Sequence, residues 1–279
     1  MITCNLKGGL GNQLFQIFAV IAYSLKYRQP FKFLYTELVA SMTKRHSYWD
    51  SFLKSLKAFT MNEYPCTNEN TNIVRYYDME YRELPISSSE HTIFDGYFQS
   101  YKYFEERQDD ICRLIQLEKQ KAECLTRHNM DVKNTIAMHF RIGDYKLLMN
   151  AHPIMRYEYY INALTFILSS CQLQTWKVIY FCEAEDNNYV LNIIKTISHV
   201  FPLLTFEKAS DDLADWEQML LMSNCTHNII ANSSFSWFAA YFNSNKEKIV
   251  CYPNKWFCGL NEHICVDDLF PPAWQKIQC

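Results

Sequence analysis

The chain reads as an α/β protein with parallel sheets, arranged as two successive halves. Short apolar runs of strand length alternate with longer segments whose apolar residues recur at helical spacing. The chain opens with one such alternation, "MITCNL" leading through "KGGLGN" into a helical segment, which is a strand, a tight loop and a helix. The second half repeats the rhythm more regularly, as a βαβα pattern.

Taken in order, "MITCNL" is a short buried strand. The loop after it holds three of the chain's 6 glycines within four residues. Glycine is placed where φ must be positive or where another group must come close to the backbone. The helix is expected to start at Asn12, with Leu14, Phe15, Phe18, Ala22 and Leu25 on its apolar face, and "FKFLY" (31–35) completes a βαβ unit. From Met61 to His91 the chain is polar, rich in Asn and Tyr and weakly periodic, and is read as loops. "TIFDGYFQSYKYFEE" then gives a strand ending at Gly96 and a helix continuing through Ile111, Leu114 and Ile115 towards His128. The boundary between the halves falls near Asn129 to Lys133, giving an N-terminal domain of residues 1–130 and a C-terminal domain of 131–279. In the latter, strands "TIAMHF", "KVIYFC", "LLTFE", "NIIA" and "KIVCY" alternate with helices near Tyr157–Cys171, Asn188–His199, Asp212–Ser223 and Phe235–Phe242. Ser210 with Asp211 and Asp212 supplies a helix start, an oxygen cap followed by negative charge in the first turn.

Composition narrows the function classes. At 279 residues and 49% hydrophobic, the chain buries a large core. Its 27 basic and 30 acidic side chains, with no long run of one sign, argue against a nucleic-acid surface or an electrostatic membrane anchor. The 11 cysteines are scattered, none in a CxxC pair, and several lie inside apolar strands. That pattern disfavours a zinc site or a disulfide framework and points to a reducing compartment. The apolar stretch Leu14–Leu25 is shorter than the ~20 residues of a membrane span and contains Gln16.

Three motifs carry chemistry. In the glycine loop, unobstructed amides and a helix start make an anion site. Gly9 and Gly11 fit a G-x-G-x-x-G spacing, but Leu14 takes the third place. The same glycines would also serve simple helix–sheet packing. In "AMHFRIGDY", His139, Arg141 and Asp144 stand at the end of a buried strand, and alternation puts His139 and Arg141 on one face. A guanidinium there can hold a diphosphate through two parallel bonds; the structural alternative is an Arg–Asp pair across the loop. In "HNIIANSSFSWFAAYF", Asn232, Ser233 and Ser234 lie between a strand and a helix, an anion site or simply a capped buried helix. Each motif sits at the carboxyl end of a strand. No DxD bridges a metal to a diphosphate, and the pairs Asp211–Asp212 and Asp267–Asp268 read as caps.

"GGLGNQLFQ", "GYFQSYKYF", "HFRIGDY", a "YY" pair before a helix and "NSSFSW", in this order, resemble the α-1,2-fucosyltransferases of glycosyltransferase family 11. The resemblance spans nearly the whole chain. It implies two Rossmann-like domains facing each other across a cleft, the GT-B architecture, with the N-terminal domain on the acceptor side and the C-terminal domain on the donor side. It implies inverting, metal-independent transfer of L-fucose from GDP-fucose to the 2-hydroxyl of a terminal galactose on a glycan, with no cofactor beyond the donor. By position, Arg141 matches the arginine at the donor diphosphate, with His139 beside it. Gly9, Gly11 and Asn12 match the loop that reaches the phosphate or fucose, and Ser233 and Ser234, next to Asn232, the loop at the donor phosphates. The family pattern has a second basic residue after the arginine; here it is Ile142. Asp144 and then His139 are the candidates for the base that takes the acceptor proton, Asp144 alternatively orienting Arg141. Acceptor contacts are expected in 61–91 and in the loops after Tyr145. Animal members carry a membrane anchor and stem; this chain begins at its first strand, which implies a soluble, cytoplasmic microbial or viral form. Two other readings stay open. A dinucleotide oxidoreductase would place Glu37 on the ribose, and a non-catalytic glycan-binding module would use the aromatics, 16% of the chain, as stacking platforms.

Overall fold

The computed structural model describes residues 1–41, 44–63, 71–76, 79–171 and 175–279. Part of the stretch expected to touch the acceptor, 64–70 and 77–78, lies outside them. The chain forms two compact units: Met1–Gln120 with Cys265–Pro271, and Lys121–Ile264 with Pro272–Cys279.

In the first unit, β1 (Ile2–Cys4) leads into α1 (Leu10–Tyr27), followed by the short strands β2 (Phe33–Leu34), β3 (Leu38–Val39), β4 (Arg45–His46) and β5 (Thr60–Met61). β6 (Thr71–Tyr76) and β7 (His91–Gly96) then complete a parallel sheet in the order β1-β7-β6. The chain just before β2 bridges β1 at Ile2↔Phe31, with Ile2 N–H donating to Pro30 O (2.8 Å) and Lys32 N–H to Ile2 O (3.0 Å), and β2 itself pairs with β5. β3 and β4 form an antiparallel pair of their own.

The helix α1 is buried nearly throughout, Leu14, Phe15, Ile17, Phe18, Val20 and Ile21 having no exposed surface. Phe15 and Phe18 both meet Phe104, at 5.9 and 5.4 Å between ring centres. The helix begins at Leu10, not Asn12, because Gly9 in extended conformation already serves as its cap. The region read as loops contains β6, pairing with β7 from Thr71↔His91 to Tyr76↔Gly96. Its polar sequence "TNIVRY" suits the edge position it takes. The single helix expected after Gly96 is instead short 3₁₀ turns at Tyr101–Tyr103 and Glu105–Arg107, then α2 (Gln108–Leu114) and α3 (Leu117–His128). Gln116, with φ 54°, breaks the last two apart.

The second unit is a six-stranded sheet, all parallel. Its strands are β8 (Thr135–His139), β9 (Lys177–Phe181), β10 (Thr205–Lys208), β11 (His227–Ile229), β12 (Val250–Pro253) and β13 (Gln275–Ile277), in the order β10-β9-β8-β11-β12-β13. The crossovers are α4 (Tyr157–Ser170), α5 (Asn187–Val200), α6 (Asp215–Asn224) and α7 (Ser234–Tyr241). Counted from β8 this is the doubly wound Rossmann order 3-2-1-4-5-6, whose reversal lies between β8 and β11 and whose ligands bind beyond the carboxyl ends there. Ile136, Met138 and Phe140 join one core cluster with Tyr159, Tyr160, Ala163 and Leu164 of α4 and Val190 and Ile194 of α5. Alternation therefore turns His139 to the opposite face, where its ring lies 5.4 Å from Phe235 of α7.

The helix expected from Asp212 starts one turn later. The Ser210 hydroxyl accepts from Asp212 N–H in a local turn, and Glu217 reaches back to the Ala214 N–H (3.2 Å), which sets the first residue at Asp215. Among the described residues no helix is long and apolar enough to cross a membrane, and the ten described cysteines are free thiols.

Candidate active site

The last residues of β8 and β11 converge where the strand order reverses. α4 prepares both ends: Tyr160 Oη donates to His139 O (3.1 Å) and Tyr159 Oη to Ile230 O (2.6 Å), with Cys251 O a second acceptor at 3.1 Å. The "YY" pair thus fixes the strand ends that flank the reversal.

Beyond β8, Phe140 N–H continues the pairing to Phe181 O (2.8 Å), and the chain then turns through Arg141–Leu147. The turn is anchored by Asp186, 1% exposed, which accepts from Gly143 N–H (2.8 Å) and Lys146 Nζ (2.5 Å). Gly143 has φ +32°, a conformation that favours glycine, and a Cβ there would lie 2.5 Å from Glu183 Oε2, so the bare backbone admits that carboxylate. Arg141 presents Nη2 to Asp144 on the same turn and Nη1 to Glu183 Oε1 (2.5 Å), arriving beyond the end of β9. Its guanidinium also lies 4.8 Å from the Tyr145 ring centre. Burial works to lower the Arg141 pKa, but Tyr145, Asp144 and Glu183 outweigh it and raise it, keeping a permanent cation.

Tyr145 ties this turn to the loop after β11: its hydroxyl donates to Asn232 O (3.0 Å), and its ring stacks on His152 at 4.6 Å. Asn232 is fully enclosed, and its Nδ2 donates to Pro153 O (3.0 Å) and Trp256 O (3.1 Å). Ser233 caps α7, its hydroxyl accepting from Phe235 N–H (3.3 Å); Ser234 is the helix's first residue.

Three buried polar atoms here have no hydrogen-bond partner: Asn232 Oδ1, His139 Nδ1 and His152 Nδ1. Buried polar groups are paired in the great majority of cases, so these three atoms are open to a polar partner. Burial, aided by the neighbouring Arg141 charge, pushes the His139 imidazole down to about 3, and the ring is neutral. Arg141, Asp144, His139, Asn232, Ser233 and Ser234 are thus gathered in one unit. Sequence reading missed Glu183, Asp186 and Tyr145's tie to Asn232. The acidic residues just past "KVIYFC" were the available signal for the first two.

Gly9, Gly11 and Asn12 lie in the first unit, in a network of their own. The left-handed residue is Gly8, with φ +75°, and a Cβ there would sit 2.6 Å from Asn12 Nδ2. Gln16 receives Lys7 N–H (3.0 Å) and donates to Lys7 O (2.9 Å), Gly8 N–H donates to Ala40 O (3.0 Å), and Gln99 donates to Asn12 Oδ1 (2.8 Å). The first helical bond runs from Gln13 N–H to Gly9 O (3.0 Å), which leaves the amides of Leu10 and Gly11 at the open end of the helix. Lys7 Nζ pairs with Asp95 (2.5 Å) at the end of β7, and Arg75 Nε lies 3.6 Å from the same carboxylate.

The aspartates read as caps are engaged otherwise, the helix after Asp211 and Asp212 being capped at Ala214 and the turn at Asp267–Leu269 at Val266. Asp211 bonds Lys208 (2.6 Å) and Asn187 (2.7 Å); Asp268 accepts from Tyr81 N–H (2.7 Å) and Lys102. Among the described residues no group of three His, Cys, Asp or Glu side chains is disposed to hold a metal ion.

The chain is 25% identical to the O-antigen biosynthesis glycosyltransferase WbnK of Escherichia coli, over 94% of this chain and 96% of that protein. It is 24% identical to an alpha-1,2-colitosyltransferase of Escherichia coli, over 100% of this chain and 99% of that one. Among solved structures, the family 9 glycosyl transferase from Veillonella parvula aligns at 10% identity with a TM-score of 0.46, covering 99% of this chain and 86% of that chain. The fucosyltransferase NodZ from Bradyrhizobium aligns at 11% identity with a TM-score of 0.41, covering 86% and 91%. The profile of glycosyl transferase family 11 matches residues 1–278, and the chain belongs to that family of glycosyltransferases.

Proposed function

We propose that the chain transfers L-fucose from GDP-fucose, with inversion, to the 2-hydroxyl of a terminal galactose on a glycan, and does so without a metal ion. Family 11 membership supports glycosyl transfer, and the α-1,2 linkage in the name of one relative agrees with transfer to a 2-hydroxyl. The observation that carries the site assignment is the permanent guanidinium of Arg141 where the Rossmann order reverses, beside the unpaired Asn232 Oδ1 and His139 Nδ1.

In this reading Arg141 neutralises the charge that grows on the departing diphosphate, the step at which fixed cations contribute most. Ser233 and Ser234 with the first amides of α7 receive phosphate oxygens, and Asn232 offers its free carbonyl oxygen to a donor hydroxyl or amino group. Gly9, Gly11 and Asn12 make a separate anion-favouring loop in the first unit, where the first-turn amides of α1 favour negative charge. The ion pair of Asp144 with Arg141 favours an orienting part over that of the base. The depressed basicity of His139 makes it a poor proton acceptor near neutral pH.

Incubation with GDP-fucose and galactose-terminated acceptors, read by mass spectrometry and linkage analysis, tests this. A fucosyl α-1,2 product formed in excess chelator at a rate within about twofold of the untreated enzyme is expected. A product only from a colitosyl donor would change the sugar, rescue of a chelated enzyme by Mn²⁺ would restore the metal, and preference for a nicotinamide nucleotide over GDP would return the oxidoreductase reading.

A further inference from the structure

We propose that Glu183 sits in the anion slot of the donor site and that donor binding exchanges its carboxylate for a phosphate. The inference rests on the assignment of Arg141 to the donor diphosphate and adds a residue that sets how tightly the donor is held.

Arg141 divides its two outer nitrogens between two carboxylates of different standing. Asp144 is three residues away on the same turn and mostly covered, with 27% of its side chain exposed. Glu183 comes from the loop beyond the neighbouring strand β9 and keeps 51% of its side chain exposed. Its carboxylate lies against the α-carbon of Gly143, where a built Cβ would be 2.5 and 2.8 Å from its two oxygens and 2.9 Å from Cδ. The bare backbone of Gly143 and the Nη1 edge of Arg141 therefore meet one anionic group between them, and a carboxylate takes that place.

Charge decides what must follow. One guanidinium faces two carboxylates, and the adjacent Lys146–Asp186 pair balances itself. A diphosphate brought to Arg141 with both acids in place would meet a net negative cluster, and like charges at such range repel strongly in a partly buried setting. The exposed partner is the one that can leave, because water replaces its ion pair at small cost, whereas Asp144 is fixed by its short tether. A phosphate presents the same two-oxygen edge to the guanidinium that the carboxylate does.

A competing part for Glu183 follows from its place just beyond the second strand of a Rossmann unit, where an acid commonly accepts hydrogen bonds from a ribose. The two parts differ in sign. An exchanging carboxylate weakens nucleotide binding; a ribose acceptor strengthens it.

Calorimetric titration of the full chain with GDP separates them, using the wild type, Glu183→Gln, Arg141→Met and the double variant. Thermal unfolding and circular dichroism establish that each variant is folded. Glu183→Gln keeps the shape and removes the charge, and is expected to bind GDP about tenfold more tightly, ~1.4 kcal/mol. In the Arg141→Met background the same change is expected to alter affinity less than twofold, since the exchange acts through the guanidinium. Unchanged or weaker GDP binding by Glu183→Gln overturns the exchange, as does equal tightening with and without Arg141, which would be a general charge effect. GDP binding by Arg141→Met equal to the wild type overturns the donor-site assignment itself, and the exchange with it.

Discussion

Arg141 is held in place by its neighbours. Its fork is aimed by Asp144 and Glu183 and backed by the Tyr145 ring, so in the proposed reading a diphosphate meets a guanidinium that is already oriented. Arg141→Lys retains the charge but loses the planar fork and the stacking, and turnover is expected to fall on the order of 100-fold. A folded lysine variant with near-normal turnover would assign the arginine to structure. Asp144→Asn separates orientation from proton transfer. If Asp144 aims the guanidinium, GDP affinity and turnover fall together, each by about tenfold or more. Intact affinity with turnover down about 100-fold would make Asp144 the base.

At the level of elements, each loop that follows a first strand turns on one glycine at positive φ. Gly143 makes room for a carboxylate; Gly8 makes room for the Asn12 amide, which in turn accepts from Gln99. Gly8→Ala imposes a side chain at φ +75° against that amide and is expected to destabilise the protein by about 1–3 kcal/mol, measured by denaturant unfolding. A smaller loss would mean that the loop shifts without strain. The glycine loop was visible as a cluster, but which glycine is left-handed was not, because that depends on where Asn12 stands after the helix forms. Arg141 was legible because an apolar strand ended abruptly in a charge. Glu183 and Asp186 were not, since their meeting with Arg141 and Gly143 depends on β9 lying next to β8, a pairing that neither local pattern contains. β6 was missed for a related reason: an edge strand with polar residues lacks the apolar run that marks β8 or β9.

For the whole molecule, two histidines of the second unit give an acid dependence of known sign. Burial and Arg141 push His139 down to about 3, and burial pushes His227 down to about 4, whereas both titrate near ~6.5 when unfolded. The unfolded chain therefore binds more protons than the folded one below pH ~6.5, and stability is lost as pH falls from there towards the folded values. Calorimetry at pH 5 in buffers of different ionisation enthalpy is expected to show proton uptake on unfolding, reduced by about one proton in His227→Asn. An unchanged uptake would mean that His227 is already charged in the folded protein. The division of the chain carries a consequence for biosynthesis. Residues Cys265–Pro271 belong to the first unit, and through them Asp268 holds Lys102, the Tyr81 amide and the Ser100 hydroxyl. The ribosome delivers those seven residues only after strands β8–β12 of the second unit, so the N-terminal half leaves the exit tunnel lacking a strut. The half translated first thus waits on the second unit for its completion, and a nascent chain halted anywhere before Asp268 carries a first unit that still exposes the groups this residue covers.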